Sequence, residues 1–408
     1  MSIRVLLATL RRHSLMPLLV LLQVALACAI LSNVLFLCWQ QLQPMLAPSG
    51  VDAANLVIVD RLDGGDRPWT SAEVHAGAQA LREVPGVRAA SAADSLPMVA
   101  ASIYAFGLQG PSRAKVGVNV YAGEGLANTL GVQLLAGRDF LPDEYRAEGG
   151  YKGTPEPVIV TQVLARKLFG NAEALGQPVA DPENPAGAGY RVVGIVRHLL
   201  RNQLGMATDG RADDTMLIPQ RVGDTPMPLY AVRVDPAMRE AALRGVRKAI
   251  RRQFGARLPM EAQPRASFYG TLSSAAFKDR RASLWLFAGV ALTVVIVTII
   301  GIMGLTGFWV QQRTRQIGIR RALGARRADI LRYFLAENAL IVGAGVVLGM
   351  AMAYLGNAWL MHYYELQRLP WPFLPYGAAL MLLLGQFAVL SPALRAARVA
   401  PVVATRSV

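Results

Sequence analysis

Four stretches of this chain carry no charge over a length that can cross a bilayer, and they constrain its folding more than any other feature of its 408 residues. A helix needs roughly 20 apolar residues, rising 1.5 Å each, to span about 30 Å of hydrocarbon. Pro17 to Leu37 is the first such run; no charge follows it until Asp52, and Trp39 is placed as an interfacial anchor at its far end. The run is longer than the apolar core of a signal peptide and no A-x-A-like site follows it, which predicts an uncleaved anchor. Ala282 to Gln312 is the second run. As a helix it would reach about 46 Å and so project beyond the bilayer. Asn338 to Tyr364 is the third, with Glu337 at its basic end, and Leu369 to Leu394 is the fourth, entered through Pro370, Trp371, Pro372 and Pro375. These runs predict transmembrane helices at 17–39, 282–312, 337–360 and 373–394.

The charges sort by position. Of 42 Lys and Arg residues, thirteen fall in residues 1–16, 311–332 and 393–408, against the single acid Asp329, and they account for most of the net charge of +15. Basic residues packed into short segments beside apolar runs mark the cytoplasmic side of a membrane. The termini and the 313–336 loop are therefore expected inside, with residues 40–281 and a short loop at 361–372 outside. Basicity of this kind does not form a nucleic-acid-binding face. Residues 1–16 place Ile3, Leu6, Leu7 and Leu10 beside Arg4, Arg11 and Arg12, the pattern of an amphipathic helix on the inner leaflet, with a disordered start as the alternative. The only cysteines, Cys28 and Cys38, lie ten residues apart in the first span and do not meet on one helix. The external region must then stabilise itself by core burial, which its size permits.

Residues 40–281 read as mixed α and β. Asn55 to Val59 is a strand, Thr70-Ser71-Ala72-Glu73 has capping-box spacing opening a helix to about Val84, and a strand follows near Val87. The pattern recurs later: Leu229 to Val234 is a strand, Asp235-Pro236 opens a helix to about Phe254, and Leu258 to Gln263 closes the unit. Two separated βαβ units suggest a ferredoxin-like split fold with a β-rich insertion at about 109–225. Within the insertion, Val116, Val118 and Val120 alternate with polar or small residues as a one-sided strand. Pro157 to Val160 is a strand, Thr161 caps a helix ended by Gly170, and Tyr190 to Val196 is a buried-type strand. The 236–254 helix opposes Leu243, Val246, Ile250 and Phe254 to a basic face, which is expected to be solvated.

Catalytic constellations are not found. None of the five lysines ends a G-x-x-x-x-G-K-[ST] loop, the four histidines are scattered without an H-E-x-x-H or a Cys/His cluster, and no G-x-S-x-G occurs. Asp213-Asp214, the one acidic pair of interest, is expected in a solvated loop. No bound cofactor or metal is expected. Gly345, Gly349 and Ala353 sit at small-xxx-small spacing in the third span, so that another helix, of this or another chain, can approach closely.

The inner loop reads QQRTRQIGIRRALGARRADILRYFLAENALIVGAGVVLG over 311–349. It resembles the cytoplasmic signature of MacB-like, FtsX-related (type VII) ABC transporter permeases, with Gln316 where that family usually has Glu. LLAGRDF (134–140), EPVIVTQVLARKLFG (156–170), LGQPV (175–179) and YRVVGIV (190–196) match the family's external core domain in order, and SPALRAARVAPVVATRSV resembles its ending. The resemblance implies a non-catalytic permease of the inner membrane, with four transmembrane helices and a large mixed α/β periplasmic domain. It implies mechanotransmission: a nucleotide-binding subunit, holding ATP and Mg, pushes a coupling element and the long second span passes the movement outward. Because the sequence opens on the first span, the ATPase is expected in a separate subunit. Further expected partners are a second permease chain, identical or not, a periplasmic adaptor, an outer-membrane channel and membrane lipid. By this resemblance Ile317, Gly318, Arg320, Arg321, Ala322, Leu323, Gly324, Ala325 and Asp329 are the expected coupling residues. Ile317 to Leu323 would continue the second span, Gly324 would break the helix, and Asp329 would start a new short one at the membrane surface. Lipoprotein extraction and regulation of cell-wall hydrolases, in the manner of FtsX, are the alternative functions.

Overall fold

The computed structural model describes residues 15–99, 105–111, 115–147, 151, 153–184, 187–202, 211–258, 263–364 and 369–397. The expected amphipathic start and basic tail lie almost wholly outside these residues. The chain opens with α1 (Leu15–Leu46), β1 (Leu56–Asp60), α2 (Ser71–Arg82), β2 (Val87–Ala93), β3 (Ala105–Gln109) and β4 (Lys115–Ala122). Then come α3 (Leu126–Leu130), β5 (Leu134–Gly137), β6 (Glu156–Thr161), α4 (Gln162–Phe169), β7 (Pro178–Val179), β8 (Tyr190–Val196) and β9 (Thr215–Ile218). After these follow β10 (Leu229–Val234), α5 (Arg239–Phe254), β11 (Arg265–Phe268), α6 (Tyr269–Ala276) and α7 (Lys278–Gln312). The last helices are α8 (Thr314–Ala322), α9 (Arg327–Tyr364) and α10 (Phe373–Ala397). Two compact units result, one from Met1–Leu42 with Arg280–Val408, the other from Gln43–Asp279.

In the first unit, α1, α7, α9 and α10 are long and apolar enough to cross a membrane. Helices α7 and α9 outrun their charge-free runs at the N-terminal end, because backbone hydrogen bonding continues past the last apolar residue until something breaks it. Thus α7 begins at Lys278, taking in Asp279, Arg280 and Arg281. The expected separate short helix after Gly324 is not formed: α9 runs unbroken from Arg327 to Tyr364. No Gly or Pro stands between Arg327 and Asn338 to end a turn there.

The small-residue stripe of α9 faces α1 of the same chain. A Cβ on Gly345 would lie 2.9 Å from the Leu21 carbonyl oxygen, and one on Gly349 2.6 Å from that of Ala25 and 2.7 Å from the Cys28 Cβ. Ala353 is buried with Ala29 and Phe36 one turn further on. Polar side chains between the helices find backbone partners. Gln23 Nε2 donates to the Val297 and Thr298 carbonyls at 3.3 and 3.4 Å, and Asn338 Nδ2 to that of Gly385 at 3.1 Å. Hydrogen bonds of this kind are the usual polar contacts between membrane helices.

The second unit holds two sheets. The first has the order β11-β1-β10-β2, every neighbour antiparallel, so the strands of two βαβ units interleave. Helices α2 and α5 cover one face through Val74, Leu81, Val246, Ile250 and Phe254. The strand that pairs with β1 is Arg265–Phe268, and most of the expected closing strand Leu258–Gln263 (259–262) lies outside the described residues. Arg265 sits opposite Asp60 and bonds its carboxylate through Nε at 2.9 Å and through Nη2. Leu258 instead serves the core beside α5.

The second sheet has the order β3-β4-β9-β6-β8-β5, with β7 on β8. Its strand β4 is not one-sided: Asn119 and Tyr121 are buried as fully as Val118 and Val120. Being interior, β4 is covered on both faces, by the cluster of Val118 and Leu164 on one and that of Tyr121 and Leu126 on the other.

The Thr70–Glu73 spacing forms a reciprocal cap on α2, with Arg257 bonding Glu73 Oε1 at 2.6 Å. The Thr70 backbone N–H, then Arg257, hold the Glu73 carboxyl down at about 2, below its ordinary 4.5. A depressed carboxyl contributes stability above its unfolded pKa and loses it as pH falls through the folded one. Amide exchange in α2, corrected for its intrinsic pH dependence, should therefore speed up as pH falls from 4.5 towards 2. Glu73→Gln should abolish that step; a step of equal size in the variant would refute the assignment.

Candidate functional site

The residues singled out in the 311–332 loop come together in a helical hairpin made by α8 and the start of α9. Arg313 alone interrupts the helix between α7 and α8. The Thr314 hydroxyl donates back to the Val310 and Gln311 carbonyls at 3.1 and 2.9 Å, satisfying the end of α7. Helix α8 folds onto α9 by burying Ile317 against the region of Ile330 and Phe334, each about 5% exposed or less. Gly318 is buried beside Ile317. At the turn, Gly324 takes φ +97°, a left-handed conformation that suits glycine, while Leu323 and Ala325 donate back to the Ile319 and Arg320 carbonyls. Asp329 stands in the first turn of α9 and accepts from the Arg326 backbone N–H at 3.0 Å, as a first-turn acid should.

One side of the hairpin is therefore committed to the protein and the other is open. Leu323 is 83% exposed and Ile319 49%. Arg320 is exposed and lies with its guanidinium 4.9 Å from the Tyr333 ring centre; Arg315, Arg326 and Arg327 are exposed around it, and Ala322 with them. Arg321 also lies in α8. Between α8 and α9 is a cleft of about 280 Å³, with Ile317, Ile330 and Phe334 among its apolar lining and Gln316, Arg320 and Asp329 among its polar lining. An apolar knob with exposed arginines beside it can seat in a complementary surface. Gly345, Gly349 and Ala353 stand apart from it, in the packing of α9 on α1.

Two groups escaped the reading of the sequence. Arg313 and Glu337 form a buried ion pair at the root of the hairpin, Nη1 reaching the carboxylate at 3.2 and 3.3 Å. The available signal was an acid placed at the start of an apolar run, with an arginine at the end of the preceding one. In the second unit, Asp213 and Asp214 are not in a solvated loop. Asp214 is fully buried and takes Lys167 Nζ at 2.7 Å on both oxygens, while Asp213 meets His198 Nδ1 at 2.6 Å and accepts from the Leu199 N–H. A buried carboxylate needs such partners, and these come from segments distant in sequence. Among the described residues, no group of three His, Cys, Asp or Glu is placed to hold a metal ion.

Residues 288–401, which include the hairpin, match the family model of the FtsX-like permease C-terminal domain. A macrolide export ATP-binding/permease protein MacB of Escherichia coli is 28% identical over 234 residues, covering 56% of this chain and 33% of that protein. The pyoverdine export ATP-binding/permease protein PvdT of Pseudomonas aeruginosa is 28% identical over 220 residues, 51% of this chain and 31% of that one. A MacB of Shewanella sp. reaches 47% identity over 70 residues, 17% of this chain and 11% of the relative. The matched stretches thus span about a third or less of these relatives' length. Among solved structures, the periplasmic region of MacB from Actinobacillus actinomycetemcomitans is similar at TM-score 0.37 and 11% identity, over 58% of this chain and 98% of that one. The extracellular domain of YknZ from Gram-positive bacteria is similar at TM-score 0.35 and 13% identity, over 52% and 100%.

Proposed function

We propose that this chain, which carries an FtsX-like permease C-terminal domain and is homologous to MacB-type proteins, is the permease part of an ABC transporter that works by mechanotransmission. A nucleotide-binding subunit, holding ATP and Mg, docks on the α8–α9 hairpin. Its closure moves the hairpin, and α7, about 52 Å long at 1.5 Å per residue, carries the movement through the membrane to the 40–281 region on the far side. The observation that carries this reading is the exposed Leu323 tip on a hairpin whose other face is buried in the helix bundle.

The rest of the assembly follows from the same reading. The chain lies in an inner membrane, pairs with a second permease chain and contacts lipid through its exposed apolar faces. Its 40–281 region, a ferredoxin-like split unit with a β-rich insertion, works in the periplasm with an adaptor and an outer-membrane channel. Export is favoured over lipoprotein extraction or hydrolase regulation because the similar curated proteins are named for the export of macrolides and of pyoverdine. The purified chain alone should then bind and hydrolyse no ATP, while co-expression with its nucleotide-binding subunit should give a co-purifying complex with ATPase activity. Nucleotide binding by the chain alone would overturn this reading.

A further inference from the structure

Arg313 behaves unlike the arginines around it. Arg315, Arg320, Arg326 and Arg327 are exposed, whereas the Arg313 side chain is 10% exposed and that of Glu337, within α9, 1%. Its guanidinium lies 4.5 Å from the ring centre of Trp309, near the end of α7, with Glu337 as its other partner. Nη2 is buried without a hydrogen-bond partner among the described residues. One side chain therefore ties together the end of α7, the start of α8 and the body of α9.

The position explains the need. A single residue between two helices leaves two soft dihedrals, so α8 can swing about Arg313 unless something else sets its direction. The local bonds, Arg313 N–H to the Val310 carbonyl, Ile317 N–H to the Arg313 carbonyl and the Thr314 hydroxyl to the Val310 and Gln311 carbonyls, close the turns around residue 313 but do not reach α9. Packing of Ile317 on α9 holds α8 close, but apolar contact is non-directional. A buried ion pair adds little net stability over apolar side chains of similar volume, since both charges leave water, but it has one geometry. Only arginine joins a planar face for Trp309 to a fork for the carboxylate.

We propose that Arg313 and Glu337 are positioning residues: their pair fixes the direction in which the hairpin leaves the second span. A displacement of α8 then reaches α7 and α9 together and is not absorbed by bending at residue 313. The consequence for coupling rests on the function proposed above; the geometric role does not.

Spin labels on Leu323→Cys and Ile300→Cys test the geometric role in the full chain in liposomes, on a Cys28→Ala, Cys38→Ser background. Ile300 is 63% exposed on α7. The parent should give one narrow distance distribution. Arg313→Lys, which keeps the charge, and Glu337→Gln, which keeps the shape, should each broaden it. If either fails to fold, the pair Arg313→Met with Glu337→Leu leaves no buried charge, should accumulate normally, and should also be broad. A distribution as narrow as the parent's in that double variant overturns the proposal. A second readout, on unlabelled protein with its nucleotide-binding subunit, is ATP hydrolysed per transport event, expected to rise several-fold while hydrolysis persists. Broad distances with an unchanged ratio would overturn the coupling function of the hairpin and leave the positioning role standing.

Discussion

Leu323→Asp should abolish both association with the nucleotide-binding subunit and transport, while the chain accumulates and inserts as before. Leu323 is 83% exposed, so the folded chain loses no packing there, and surface changes of that kind usually stay within about 0.5 kcal/mol. In a complex that buries the tip, the same carboxylate loses its water. An unpaired buried charge costs about 3–5 kcal/mol. With tenfold in affinity for every 1.4 kcal/mol or so, association should weaken by more than about a hundredfold. Leu323→Ala separates charge from shape: it forfeits at most the roughly 1.5–3 kcal/mol of burying a leucine and should be the milder variant. Arg320→Glu and Arg321→Glu reverse charges in the same segment and should weaken association without altering the 40–281 region. Co-purification and a transport assay read all four. If Leu323→Asp and both arginine changes leave association and transport untouched, the arginines serve only to orient the chain in the membrane.

What could be read from the sequence follows a physical line. Thr70 with Glu73, Thr161 with Gly170, and Gly324 with Asp329 are caps and turns settled within a few residues, and each forms as its spacing indicates. The apolar spans are equally local, since a bilayer acts on each helix by its own composition. Partners between distant segments are another matter. Gly345 and Gly349 announce a close approach, but their spacing does not name α1 as the neighbour. Leu258 to Gln263 looks more like a strand than Arg-Ala-Ser-Phe at 265–268 does. The partner of Arg265 is Asp60, some two hundred residues earlier in the chain, which no local spacing names. The burial of Asp214 likewise depends on Lys167, and that of Glu337 on Arg313. Opposite charges become legible as pairs only when the fold has brought them together.

The α1–α9 contact gives the second large effect. Gly349→Leu should destabilise the helix bundle severely enough to lower protein level, whereas Gly343→Leu and Gly356→Leu on the same helix should not. All three changes raise apolarity alike and suit a membrane helix. They differ in what a side chain meets: at Gly343 and Gly356 nothing lies within 4 Å, but at Gly349 the Ala25 carbonyl oxygen is 2.6 Å away. That atom is helix backbone and has no rotamer by which to yield, so α1 and α9 must separate. Overpacking of a well-fitted site costs about 1–3 kcal/mol where side chains can adjust, and separating two helices also removes the neighbouring contacts of Gly345, Cys28 and Ala353. Unfolding in detergent, followed by circular dichroism, compares the three variants directly. The result bears on function because α9 also carries the hairpin, so whatever loosens α9 on α1 loosens the base from which Leu323 is presented. If Gly349→Leu unfolds with the parent and transports normally, α1 does not pack on α9 in the membrane, and the bundle described above is not the working one.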